Sequence, residues 1–312
     1  MLAYVVRRLW QMIPTLAGVV LLIFFLFNAV GGDPALVLAG KITNPEQIAN
    51  IRKQLGVDEP YWYQLWIFVK QIVTFDFGRS WATNEEVSKI FLTRLGPTLT
   101  IMLPVLVLET VLGVILAIGV AYVRGTITDR AIMMVCTIAM SISFLVYIIV
   151  AQYYFGFKWG MFPVQGWTDS FWKNLTLYAP LPIMLAVFVG LAPALRLYRS
   201  FFLDEINHDY VRTARAKGLG ERTVMMKHVL RNAMIPILTN IGIALPGIFV
   251  GSFLLETFFS IPGLGREILV AVNRSDFPVI KAATVYLAMI TMIINLAVDV
   301  MYKAVDPRVT FK

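Results

Sequence analysis

At 312 residues, 58% hydrophobic and only 15% charged, the chain departs from the roughly 45–50% and about 25% of a soluble globular domain, which excludes a water-solvated fold and makes the lipid bilayer its solvent. One cysteine, Cys136, and two histidines, His208 and His228, are too few for a disulfide framework or a Cys/His zinc cluster. The net charge of +8, from 27 basic and 19 acidic residues, is informative mainly through where the charges fall.

Six apolar runs are long enough, at about 20 residues, to cross roughly 30 Å of hydrocarbon as helices. In chain order they lie near Leu9 to Val30, Leu99 to Val123, Ala131 to Phe155, Leu177 to Leu195, Ala233 to Phe259 and Ala282 to Met301. Each is expected to be a helix, because backbone amides have no water partner in lipid and a closed barrel would instead show short alternating strands. Gly113, Pro182, Gly190, Pro193, Gly242 and Pro246 suit membrane helices that pack closely or kink, or are simply tolerated there. Arg7 and Arg8 precede the first run as they would in a signal peptide. A signal core spans only about 7–15 residues, however, and this run continues without an obvious Ala-x-Ala site, so it is read as a permanent helix.

The segment from Gly31 to Thr98 opens with a turn signal, Gly31-Gly32-Asp33-Pro34, and is punctuated by Pro45, Gly56 and Pro60 into short helices. Tyr61, Trp62, Trp66, Phe68, Ile72 and Val73 suggest an amphipathic helix that either lies at the outer interface or packs on the bundle as a lid. With both termini inside, the inner segments hold fifteen basic residues and the two short outer loops five, Lys158, Lys173, Arg266, Arg274 and Lys281. The long first segment is left out of such a count, and the positive-inside rule then fixes the orientation. Topology and anionic lipid account for the basic charge without nucleic acid.

Between the fourth and fifth runs, Arg196 to Asn232 carries eight basic residues against Asp204, Glu205, Asp209 and Glu221. Its centre, Asp209-Tyr210-Val211-Arg212-Thr213-Ala214-Arg215-Ala216-Lys217-Gly218, forms a helix up to a glycine suited to a left-handed C-terminus. Helical character resumes from Arg222 and leads through Pro236 into the fifth run. Here the chain resembles the inner-membrane permease subunits of ABC importers, and within them the oligopeptide/dipeptide branch. In that superfamily the loop holds the EAA motif, Glu-Ala-Ala with a glycine after three further residues, and Arg212-Thr213-Ala214 with Gly218 stand at those positions. Arg212 in place of Glu is typical of the peptide branch, as are His228 and Arg231-Asn232-Ala233-Met234-Ile235-Pro236. Further matching segments are Arg7-Arg8 before Pro14, Gly32-Asp33-Pro34, Glu256-Thr257 through Pro262-Gly263-Leu264-Gly265, and Asp306-Pro307-Arg308.

The resemblance implies an all-α, polytopic membrane protein of six transmembrane helices, similar to type I ABC importer permeases, with a cytoplasmic coupling helix between the fourth and fifth. It implies residues 1–30 as N-terminal segment and first span, 31–98 as an extracytoplasmic segment, 99–305 as a five-helix core including the coupling loop 196–232, and 306–312 as a cytoplasmic tail. The implied ATPase-coupling residues are Asp209, Tyr210, Arg212, Thr213, Ala214, Arg215, Lys217 and Gly218. Ala214 and Ala216 would allow close approach of an ATPase subunit, and the three cations would meet its carboxylates. The implied partners are a second homologous permease, two cytoplasmic ATP-binding subunits holding ATP-Mg, and an extracytoplasmic substrate-binding protein. Both termini would be cytoplasmic, in an inner membrane.

The chemistry expected of this chain is correspondingly sparse. No phosphate loop occurs, the sole Gly-Lys pair being Gly40-Lys41, and neither a His-Glu-x-x-His zinc motif nor a Gly-x-Ser-x-Gly elbow is present. No catalytic residue, metal site or cofactor of its own is therefore expected. Inside the runs, Glu109 is an expensive carboxylate near mid-membrane, whereas Glu256 and Asp299 are placed near run ends where water reaches them. Glu109 either faces a substrate pathway, couples protons, or is a packing residue. Asn240, Glu256 and Asn295 are the other pathway candidates. The reading is a subunit forming half the pathway of an ATP-driven importer of short peptides. Its rivals are the same class carrying nickel, glutathione or another small solute, a proton-coupled secondary transporter, and a membrane scaffold.

Overall fold

Lipid leaves a backbone N–H or C=O no partner but the chain itself, so long apolar stretches close their hydrogen bonds internally. The computed structural model describes residues 2–30, 35–36, 45–56 and 58–305. Among them the fold is all-α, and the only β-type pairing is an isolated bridge between Arg79 and Glu86. Five helical stretches are long and apolar enough to cross a bilayer: Val6–Asn28, Val87–Tyr122, Pro180–Ile206, Glu221–Phe258 and Phe277–Val300. A sixth is a bent pair, Ile127–Ser141 with Phe144–Lys158. The Gly31-Gly32-Asp33-Pro34 turn, the Gly40-Lys41 pair and the closing Asp306-Pro307-Arg308 lie outside the described residues.

Spans differ from the apolar runs: the fourth helix continues to Ile206, past the expected loop start at Arg196, and three others differ for a local reason. The second helix begins at Val87, well before Leu99, because hydropathy marks only the lipid-facing part of a helix whose polar start continues the same backbone. The third run is broken: Ile142 and Ser143 are extended, and the two halves meet at 89°. Ser141 and Ser143 flank a β-branched Ile142 there, and both residue types weaken a helix. The fifth run stops at Gly251, whose φ is +76°, and restarts as Phe253–Phe258 after Ser252, whose Oγ accepts the Leu255 N–H at 3.4 Å.

The chain divides into two compact units. One comprises Met1–Gly96 with Gly263–Lys312, the other Pro97–Pro262. In the first unit, Val20 and Ile23 of the first span, Phe68 and Ile72 of the helix Tyr61–Thr74, and Val285 of the last span form one apolar cluster. Val87, Ile90 and Phe91 pack with Leu264, Ala271, Val279 and Ala282 in another. A polar clasp completes this unit: the buried Asp276 carboxylate accepts from Ser80 Oγ at 2.5 Å, Trp81 N–H at 3.1 Å and Ala82 N–H at 3.3 Å. Asp299 pairs with Arg8 at 2.8 Å and stays partly solvated.

In the second unit, Ala117, Ala194, Tyr198, Phe202, Val211, Val229 and Ile237 belong to one core cluster. Asp129, buried near the start of the third span, is held by a two-pronged ion pair: Arg199 Nε donates to Oδ1 at 2.8 Å and Nη2 to Oδ2 at 2.7 Å. The Gly125 N–H adds a third bond at 2.9 Å. Removing one partner of a buried pair strands the other charge at a cost of about 3 kcal/mol. Arg199→Leu is therefore expected to lower the unfolding temperature of the protein in lipid nanodiscs more than the Asp129→Asn/Arg199→Leu double substitution does. Equal loss in both would refute the pairing argument.

Candidate functional site

The loop after the fourth span folds as a short helix, Asp209–Ala216. Asp209 stands in its first turn, where a carboxylate favours the positive end of the helix dipole. The far end is a Schellman closure: Gly218 N–H donates to Arg215 O at 2.9 Å and Leu219 N–H to Ala214 O at 3.4 Å. Gly218 has φ +79°, and a Cβ built there meets nothing within 4 Å. The glycine is thus required by backbone conformation alone.

Val211 and Ala214 are buried and belong to the cluster that joins Ala117, Phe202, Val224 and Ile237. Burying Val211 contributes about 2 kcal/mol to holding the helix against the bundle. Ala214 accordingly faces the bundle, which corrects the expectation that it lines a surface for close approach; Ala216 is exposed. Arg212, Thr213, Arg215 and Lys217 point away from the core. Arg215 is already engaged, with Nε donating to Glu221 Oε2 at 3.0 Å and Nη2 to Oε1 at 2.6 Å. Arg212 makes a 3.3 Å pair with Asp209 in which both side chains are largely solvated, so it costs little to exchange for another partner. Tyr210 donates its hydroxyl to Glu205 Oε2 at 2.5 Å and stacks beside His208. Burial and that carboxylate push its phenol up to about 12, so it remains a donor throughout the physiological range.

The intramembrane candidates fall in separate places. Glu109 is half-buried against Gly190: a Cβ on that glycine would stand 2.7 Å from the Glu109 carboxyl carbon. One turn further on, Gly113 receives the Tyr198 ring, a Cβ there lying 3.1 Å from Cε2. Tyr198 in turn donates to Asn240 Oδ1 at 3.4 Å. Glu109 and Asn240 therefore border the same helix, Pro180–Ile206. Glu256 is not where water reaches it. It is 1% exposed, and its Oε1 accepts from Thr98 Oγ1 at 2.9 Å. The break at Gly251 turns it inward, and its carboxylate lies over that glycine. Asn295 belongs to the other unit, lining a cavity of about 170 Å³ with Arg8, Gln11, Thr15 and Asp299. No group of three or more His, Cys, Asp or Glu side chains able to hold a metal occurs among the described residues.

Residues 110–311 match the binding-protein-dependent transport system inner membrane component family, and residues 1–102 its membrane-component N-terminal family. The chain belongs to this permease family. Over the full length of both chains the permease is 35% identical to the glutathione transport system permease proteins GsiC of Salmonella typhi and Escherichia coli. It is 31% identical, again over all of both chains, to the dipeptide transport system permease protein DppB of Alkalihalophilus pseudofirmus. The permease is thus a multi-pass inner-membrane subunit of an ABC transport system and works with other components of such a system.

Asp129 and Asp276 were not singled out from the sequence. The only signal was their cost, a carboxylate at or near the edge of an apolar run, and their partners Arg199 and Ser80 stand too far along the chain to be paired by eye. At Gly218, a β-branched side chain in the left-handed region costs about 1–2 kcal/mol. Gly218→Val is expected to reduce substrate uptake by the assembled transporter, while Gly218→Asn, which tolerates that conformation, retains most of it. Full uptake by the valine variant would show that the turn is not needed.

Proposed function

We propose that this permease forms half of the translocation pathway of an ATP-driven importer of short peptides, and that the helix Asp209–Ala216 couples it to a cytoplasmic ATPase. The observation that carries this reading is the two-sided build of that helix. Val211 and Ala214 fix it to the span ends, while Arg212, Thr213 and Lys217 remain on the open side. A helix so held moves with the bundle as a rigid body, so closure of paired ATPases would switch the pathway between inward-open and outward-open states. ATP-Mg and its hydrolysis belong, on this reading, to two ATP-binding subunits. A second homologous permease supplies the other half of the pathway, and an extracytoplasmic binding protein delivers the cargo. The basic residues of the coupling loop support a cytoplasmic side for it and for both termini. Residues 31–98 then face outward ahead of a transmembrane core, 99–305.

The peptide cargo is supported by the full-length similarity to a dipeptide permease. The glutathione permeases, at 35% identity, support a second cargo of related chemistry, glutathione being itself a small peptide. Cells lacking this permease are expected to regain uptake of labelled short peptides when it is restored, and to lose it on ATP depletion. Recovery of labelled glutathione alone would move the cargo, and uptake that survives ATP depletion would overturn the importer reading.

Among the pathway candidates Glu109, Asn240, Glu256 and Asn295, Glu109 is the one that a substrate ammonium group would meet, with Asn240 bordering the same helix, whereas Glu256 is held by Thr98 and Asn295 belongs to the other unit. Glu109→Gln is expected to reduce uptake at least tenfold, the equivalent of about 1.4 kcal/mol, and to alter its pH profile. Unchanged uptake and profile would make Glu109 a packing residue.

A further inference from the structure

We propose that the helix Tyr61–Thr74 is a membrane anchor, with Trp62, Trp66, Lys70 and Val73 of its outward face lying in the lipid leaflet. The argument begins with depth. Asn28, the last residue of the first span, donates its side-chain amide to Gln64 Oε1 at 3.3 Å, which sets the level at which the helix leaves the span end. From there it does not rise away from the bilayer. Phe68 and Ile72 share one apolar cluster with Ile23 and Val20 of the first span and Val285 of the last. Ile23 and Val20 precede Asn28 by distances of about 8 and 12 Å at the helical rise. Amphipathic helices that lie in a bilayer surface bury their apolar face about 5–10 Å below the headgroup boundary, so the packing partners of this helix put it at that depth.

The opposite face is then the question. Trp62, Trp66 and Val73 are 72%, 62% and 76% exposed, and Lys70 is exposed among them. At helical spacing they form one stripe. Water would not be the medium at this depth, and a protein partner would have to desolvate Lys70 in the middle of the contact, where lysine is depleted. Lipid suits all four. Indole rings favour the headgroup level, and a lysine stem lies along apolar surface while its ammonium reaches phosphate. Lys281 of the last span sits instead on the buried side of the helix, its Nζ 5.4 Å from the Phe27 ring centre and 5.8 Å from that of Phe68.

The test uses the assembled transporter in nanodiscs of phosphatidylethanolamine and phosphatidylglycerol, carrying Cys136→Ser and a single new cysteine labelled with a polarity-sensitive fluorophore. Trp66→Cys and Val73→Cys report the face, and Asp58→Cys, in the exposed turn before it, reports water. Blue-shifted emission at 66 and 73, quenched by chain-doxyl lipid and not by iodide, with the reverse at 58, is the expected result. Iodide quenching at 66 and 73 equal to that at 58 would overturn the anchor. So would an emission shift at those sites on adding the external binding protein, which would make the stripe a protein-docking face.

Discussion

A polar group in hydrocarbon must find its partner within the protein, and this single constraint orders most of what the structure contains. It makes the long apolar runs helical, and it decides how the few charges inside them are held. Asp129 is acceptable in the third span because Arg199 and the Gly125 amide meet both of its oxygens. Glu256 is acceptable in the fifth because the chain breaks at Gly251 and turns the carboxylate onto Thr98. Outside the lipid the constraint relaxes. There the helix Asp209–Ala216 is defined instead by a glycine turn and by two apolar side chains that pin it down.

The same difference explains what could be read from the chain alone. Hydropathy located the spans because burial in lipid is a property of consecutive residues. The coupling-type helix was legible because Asp209 and Gly218 mark its ends within ten positions of sequence, and because the surrounding motif is distinctive. The start of the second helix at Val87 was hidden, since Ser88, Lys89 and Arg94 look like loop residues unless Glu267, which pairs with Arg94 at 3.3 Å, is known to stand beside them. The burial of Glu256 and the clasp around Asp276 were hidden for a like reason: their partners Thr98 and Ser80 are distant in sequence. The open alternatives for the aromatic helix Tyr61–Thr74 also turned on distant contacts, Phe68 and Ile72 against the first and last spans.

Membership of the permease family and the local geometry address different questions. The family concerns the transport system in which the chain works, and permeases named for glutathione and dipeptide transport are similar to it over its entire length. The geometry concerns how the second unit is packed. A continuous apolar cluster runs from Val211 and Ala214 through Phe202 and Tyr198 to Ala194 and Ala117. Close-packed interiors respond to displacement as solids, not liquids. Gly113 makes room for the Tyr198 ring of that cluster and Gly190 for the Glu109 carboxyl group, so the helices Val87–Tyr122 and Pro180–Ile206 approach closely.

The break in the third span bears on how a membrane helix can bend. A helix interrupted in an apolar stretch leaves carbonyls without their usual amides, and side chains or ordered water have to meet them. Here the Ala139 carbonyl accepts from the Ile142 N–H at 3.4 Å and from the Tyr147 hydroxyl at 3.0 Å, while the Ser141 hydroxyl caps Thr137 O at 2.9 Å. The corner thus draws part of its hydrogen bonding from its own side chains. An 89° turn in an apolar stretch is thereby made less costly without relying on a neighbouring helix, and a side chain as remote from the coupling loop as the Tyr147 hydroxyl becomes part of what lets the span bend.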